Sequence, residues 1–262
     1  MVEKYYFCIV NQIIMNASPL ISVITVTFNA ENHINATLNS LKQQSFGNFE
    51  HLIIDGASKD STLDIVRQRN IPQTRIVSEP DRGLYDAMNK GLRLAKGDYV
   101  IFLNAGDAFH DAETLAKYAR EAQVGADIIY GDTIIVDAEG NKISHRHLSV
   151  PESLTKKSFA RGMLICHQAF MVKKSLAPQY NLDYRFSADY DWCVKCIEKS
   201  RPSKNINLGE VTIDYLSDGL TDKNKMKSLR ERFRIMSSHY GFLPTLFRHF
   251  TFIFRALRRG KL

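Results

Sequence analysis

The residues with the most chemical promise are acids and hydroxyls that stand where apolar runs end. Thr27 and Asn29 close the run at 20–28 (LISVITVTF), and Asp55 ends 49–55 (FEHLIID). Glu79 and Asp81 follow the short run 75–78, and Asp107 ends Asn104-Ala105-Gly106-Asp107 after 98–103 (DYVIFL). An aspartate in such a place can hydrogen-bond a base edge or a ribose hydroxyl, or hold a divalent metal. Gly106 permits a tight turn, so Asp107 can offer an oxygen to Mg2+ or Mn2+. Such a hard cation keeps several waters and is shared between one or two carboxylates and a substrate diphosphate. Asn-x-Gly-Asp is equally an ordinary turn and by itself decides nothing. Two familiar nucleotide signatures are missing: the turn at 27–33 (TFNAENH) has no glycine, hence no GxGxxG, and no GxxxxGK[ST] occurs. Cys193-Val194-Lys195-Cys196 has CxxC spacing but no second ligand pair, and it reads as free thiols on a helix.

The runs that carry these residues are of strand length and alternate with helical patterns. The segment 31–44 has Ile34, Leu38 and Leu41 at helical spacing, and 84–95 places Leu84, Met88, Leu92 and Ala95 on one face. A helix also opens at Ser58-Lys59-Asp60-Ser61. Strand–helix alternation from 20 to about 122 is the sign of βαβ units and a parallel sheet. Ligands of such sheets gather at the carboxyl ends of the strands, where the acids above stand. In the second half, 127–136 suggests two short strands, 145–161 is irregular, 167–172 (HQAFMV) reads as a strand and 188–198 as a helix bearing Trp192.

Taken together, Ser22–Asn29 (SVITVTFN), 38–44 (LNSLKQQ), 50–62 (EHLIIDGASKDST), 78–91 (SEPDRGLYDAMNKG) and 95–107 (AKGDYVIFLNAGD) resemble the family 2 glycosyltransferases of the GT-A fold, as found in bacterial polysaccharide and O-antigen synthesis. A second block is His167-Gln168-Ala169-Phe170 with 186–192 (FSADYDW). The resemblance implies an α/β protein: a single Rossmann-like nucleotide-binding domain with a mostly parallel central sheet over 19–222, after an N-terminal extension 1–18. Residues 19–112 would be the nucleotide-sugar half and 113–222 the acceptor half. It further implies that Thr27, Phe28 and Asn29 form the nucleotide-facing loop, with Phe28 stacking on the base, and that Asp55 hydrogen-bonds the base, usually uracil. Asp81 and Arg82 would lie near the nucleotide and its phosphates. Asp107 would hold a divalent cation, Mg2+ or Mn2+, and Asp189 would be the general base of an inverting displacement. Two departures stand out: Asn104 and Gly106 flank a single acid, and Ala188 precedes Asp189 where the family has glutamate. Asp191 is the second candidate for the base and, with His167, a candidate acceptor or diphosphate contact. His167 reads either as a satisfied core residue or as a contact to acceptor or diphosphate.

The 262 residues carry a formal charge of +7, which invites a polyanion partner, but the charge is not spread evenly. Residues 223–262 hold 11 of the 35 Lys+Arg and only one of the 28 Asp+Glu, Glu231, for a net of +10; the remainder sums to −3. Leu243, Leu246, Phe247, Phe250, Ile253, Phe254 and Leu257 recur at helical spacing, with Arg248, Arg255 and Arg259 on the other side. That pattern is a basic amphipathic helical tail, which reads either as a helix packed on the domain core or as one lying on an anionic membrane surface, rather than as a nucleic-acid contact. The four cysteines do not make a disulfide scaffold, and no stretch reads as a spanning helix or a signal peptide. The expectation is therefore a cytoplasmic enzyme, peripheral on the inner face of the membrane, moving a sugar from a UDP-sugar to a lipid-linked saccharide. The rivals are a nucleotidyltransferase and a membrane-associated, non-catalytic nucleotide-sugar binder with a degenerate metal site.

Overall fold

The computed structural model describes residues 18–217 and 225–249. In chain order its regular elements are β1 (Ile21–Thr27), α1 (Ile34–Lys42), β2 (Phe49–Asp55), α2 (Thr62–Arg69), β3 (Thr74–Ser78), α3 (Leu84–Leu94), β4 (Tyr99–Phe102), β5 (Ala108–Phe109), α4 (Thr114–Gln123), β6 (Ile128–Val136), β7 (Lys142–His145), α5 (Lys156–Phe159), β8 (Phe170–Lys173), α6 (Ala188–Lys199), β9 (Asn205–Leu216) and α7 (Lys225–Tyr240). An eighth helix, α8, occupies 242–249.

One sheet runs β3-β2-β1-β4-β8-β6-β9-β5, and β7 pairs with β6 beyond the end of the β8 ladder. The first four strands are parallel, as the alternation predicts. Every residue of β1 is buried, which is why it reads as a continuous apolar run rather than an alternating one. The long β6–β9 ladder is also parallel, while the antiparallel ladders through β8, β7 and β5 are short. Helix α3 presses directly on β1 because Gly91 lacks a side chain. A Cβ there would stand 2.4 Å from the Ile24 methyl, too close for any other residue.

Two second-half expectations change, and one strand had no expectation at all. The 127–136 stretch forms one strand, β6, whose register shifts against β9 around Asp132 break the regular pattern that would have shown it as one piece. Residues His167–Ala169 form a 3₁₀ turn ahead of β8. The longest strand, β9, is half-exposed over much of its length and lacks an apolar signature.

The basic tail does not begin as an appendage. Ile235 and Met236 of α7 are fully buried in the same core as the sheet. The helical tail breaks at Gly241, whose φ of +88° lies in the left-handed region, and resumes in α8. Residues 1–17 and the Phe250–Leu257 half of the apolar stripe lie outside the described residues.

Candidate functional site

The register of the parallel strands puts Thr27, Asp55 and Ser78 side by side at their carboxyl ends. Asp55 is 1% exposed, and four groups donate to it. Thr27 Oγ1 (2.9 Å) and Ser58 Oγ (2.5 Å) reach Oδ1; the Ser58 amide (2.9 Å) and Ser78 Oγ (2.7 Å) reach Oδ2. Burial works to raise its pKa, but these hydrogen bonds outweigh it and hold the carboxylate below its ordinary range. Asn29 takes φ +48° and receives the Lys59 amide on its side-chain oxygen (3.0 Å), while its own amide donates to Ser58 Oγ (2.8 Å). Asp55 and Asn29 thus hold the shape of the turns between β1 and 62.

Above these turns opens a cavity of about 840 Å³ lined by two stretches, Val26–Phe28 with Gly56 and Asp81–Ala87, and by Leu182 and 184–186. Phe28 is 64% exposed at this cavity, an aromatic face free to stack. Gly56 leaves room for the Asp81 carboxylate, whose Oδ2 would lie 2.6 Å from a Cβ at that position. The other oxygen of Asp81 caps the Gly83 amide at 2.8 Å, and Arg82 stands mostly exposed with Asp86 3.5 Å away. Thr27, Phe28, Asp81 and Arg82 therefore come together in one cavity, with Asp55 beside its floor.

Asp189 lies in the first turn of α6, where the helix dipole favours an acid. Tyr85, a cavity-lining residue, donates its hydroxyl to Asp189 Oδ1 at 3.2 Å. His167 Nδ1 is 3.7 Å from Asp189 Oδ2, and its Nε2 lies 3.4 Å from the Asn104 amide nitrogen. Burial lowers the pKa of His167, only partly offset by Asp189. His167 thus joins Asn104 to Asp189: it is buried, and it borders the candidate base.

Two expectations meet resistance. Asp107 is 4% exposed, with the Gln168 Nε2 (2.7 Å) and the Leu216 amide (3.1 Å) each donating to one oxygen. Burial pushes its pKa up to about 7, with those two bonds pulling the other way. Its neighbours Asn104 and Gly106 bring no carboxylate, and no cluster of three His, Cys, Asp or Glu among the described residues is placed to hold a metal ion. The residues present therefore do not fit a protein-held divalent cation at Asp107; its side chain ties the turn after β4 to the His167–Ala169 turn and to the end of β9. Asp191, the alternative base and candidate acceptor or diphosphate contact, points elsewhere. It is 2% exposed, bonded to His239 of α7 (2.8 Å) and to Lys195 (2.7 Å), so it serves the α6–α7 interface.

A model of glycosyl transferase family 2 matches residues 22–178, more than half of the chain. A PGL/p-HBAD biosynthesis glycosyltransferase of Mycobacterium tuberculosis is 34% identical over 229 residues, covering 81% of this chain and 85% of the relative. This chain belongs to glycosyl transferase family 2. Its family likeness extends to the putative teichuronic acid biosynthesis glycosyltransferase TuaG of Bacillus subtilis, 26% identical over 221 residues and covering 82% and 86% of the two chains. The fold is GT-A. TarS 1–349 from S. aureus in complex with UDP-GlcNAc superposes with a TM-score of 0.73 at 20% identity, over 88% of this chain and 73% of that one. The mannosyltransferase PcManGT from Pyrobaculum calidifontis, in complex with GDP-Man and Mn2+, gives 0.63 at 18% identity over 89% and 70%.

Several residues that the fold places around the cavity and the candidate acids carry no signal of it in the sequence. Tyr85 sits inside the quoted 78–91 block and Gln168 inside the His167 block, but nothing in their spacing shows which acid each will reach. Arg185 and Glu231 had no motif to mark them, although Glu231 is the single acid of the basic tail; Phe186 opens the 186–192 block, but nothing there shows that it lines a cavity.

Proposed function

We propose that this glycosyltransferase moves a sugar, with inversion, from a nucleotide-sugar, most simply a UDP-sugar, to a hydroxyl of a lipid-linked saccharide for a cell-surface polysaccharide. The observation that carries the reading is the bond from Tyr85 to Asp189: it sets a carboxylate beside the same cavity that Phe28 and Asp81 line. A displacement at the anomeric carbon needs a base on the face opposite the leaving group, and a positioned carboxylate contributes roughly 10²–10⁴-fold. Asp189 takes the acceptor proton. Thr27, Phe28 and Asp81 hold the nucleotide, with Asp55 and Asn29 keeping the turns beneath it in shape. The relative in complex with UDP-GlcNAc supports the uridine nucleotide. Mn2+ in the PcManGT complex supports a cation in such enzymes; here a Mg2+ or Mn2+ would be held by the diphosphate of the donor rather than by Asp107.

A meeting with the membrane fits α8. Phe242, Leu243 and Phe247 are 58%, 64% and 71% exposed, in a tail whose sequence is rich in arginine and lysine. No helix among the described residues is long and apolar enough to cross a membrane, so a lipid-linked acceptor would be met from the surface, at the inner face of the cytoplasmic membrane.

The test is a thermal-shift panel of nucleotide sugars with and without Mn2+, since a bound donor stabilises the fold by mass action, followed by turnover on the donor found. Asp189→Asn is expected to lower kcat about 10²–10⁴-fold while UDP affinity stays within about twofold. Unchanged turnover in that variant would move the base elsewhere.

A further inference from the structure

Residues 184–186 supply one wall of the cavity, and α7 holds that wall in place. The Glu231 carboxylate accepts the backbone amides of Arg185 (2.7 Å), Phe186 (2.7 Å) and Ser187 (2.6 Å). Ser187 Oγ also lies 3.0 Å from Ser228 Oγ of the same helix. Three charge-assisted bonds to one carboxylate fix the backbone two residues before Asp189. They also have an electrostatic consequence. The amides ahead of a helix N-terminus are a natural resting place for an anion, and here Glu231 already fills it. The amides of 185–187 are therefore closed to a diphosphate entering the cavity, and on this wall positive charge comes from side chains.

Two cavity-lining residues carry one, Arg82 and Arg185. Arg82 already has a carboxylate, Asp86, at 3.5 Å. Among the described residues, no carboxylate pairs with the Arg185 guanidinium, and Asp107 is not free to bring in a cation. We propose that Arg185 binds the diphosphate of the nucleotide donor and that Glu231 is the positioning residue that sets it. This rests on the nucleotide-sugar reading above. A guanidinium offers two parallel N–H donors to phosphate oxygens, stays charged at all working pH values, and would stabilise the charge that develops on the departing diphosphate.

Titration calorimetry of the full chain with UDP and with uridine, in EDTA, separates the diphosphate from the base. In Arg185→Ala, UDP affinity is expected to fall at least tenfold while uridine affinity stays within twofold. Arg185→Lys, with a point charge and no fork, falls in between. Glu231→Gln, checked as folded by its thermal transition, also loses UDP affinity but not uridine affinity. Equal losses for both ligands in Arg185→Ala, or no loss, overturn the proposal. If the parent binds neither UDP nor uridine, the uridine reading fails on its own, and GDP with guanosine and dTDP with thymidine provide the same comparison. The proposal then falls if Arg185→Ala leaves the binding pair unseparated or if no pair binds.

Discussion

Asp107 shows how far one side chain can depart from what its neighbours in sequence advertise. The Asn104–Asp107 segment was legible as a turn at a strand end, and that is where it lies. The destination of the carboxylate was not legible, because Gln168 and the Leu216 amide come from segments 61 and 109 residues away. Its raised pKa has a consequence for stability. The unfolded chain releases this proton near the ordinary carboxylate value, whereas the folded chain keeps it until about pH 7. The folded state therefore binds more protons in that interval, and stability falls as pH rises from about 4 to 7, by about 4 kcal/mol at most. Asp107→Asn, which has no proton to lose, is expected to flatten the pH dependence of urea midpoints between pH 5 and 8. An equally steep slope in the variant would place the titrating group elsewhere.

Among the elements, α6 connects core to chemistry. Tyr85, Tyr180 and Trp192 form a stacked ladder, with centroids 5.5 Å apart at the first step and 5.1 Å at the second. Phe102 of β4 meets both Tyr180 and Trp192 edge-on, and Trp192 Nε1 donates to the Pro178 carbonyl (2.8 Å). The hydroxyl that reaches Asp189 is thus held by rings that reach the sheet. Tyr180→Ala removes the middle rung of a fully packed stack and should cost about 3–5 kcal/mol in chemical denaturation, typical of large aromatic truncations. A loss under 1 kcal/mol would show that the ladder does not bear on stability. The first four strands were legible because buried parallel strands are continuous apolar runs. Strand β9 was not, since a half-exposed sequence such as Asn205–Leu216, with Gly209 and Glu210 in its middle, has no period of its own and pairs only because β6 and β5 receive it.

At the scale of the whole molecule, the charge imbalance seen in sequence maps onto a structural gradient. Helix α7, though basic, is half interior: Ile235 and Met236 are buried, and His239 bonds the buried Asp191. Beyond Gly241, α8 turns Leu243 and Phe247 outward. The sequence pattern showed an apolar stripe but not where packing ends and exposure begins, since both need the same periodicity. Replacing Leu243 and Phe247 together with Asp should abolish co-flotation with phosphatidylglycerol vesicles and leave UDP affinity intact, as interfacial binding follows buried apolar area plus attraction to anionic lipid. Undiminished flotation would assign the membrane contact to another face.

The hold of Glu231 on residues 185–187 also bears on how such enzymes can be recombined. Composition draws a seam at residue 222, and a protein engineer exchanging tails between relatives to redirect them to other surfaces would cut there. The three backbone amides ahead of Asp189 would then lose their acceptor unless the incoming tail supplied one at the same place. A seam at Gly241 leaves that acceptor with the body and transplants only α8 and the residues beyond it. The portable module of this molecule is therefore smaller than its charge distribution suggests.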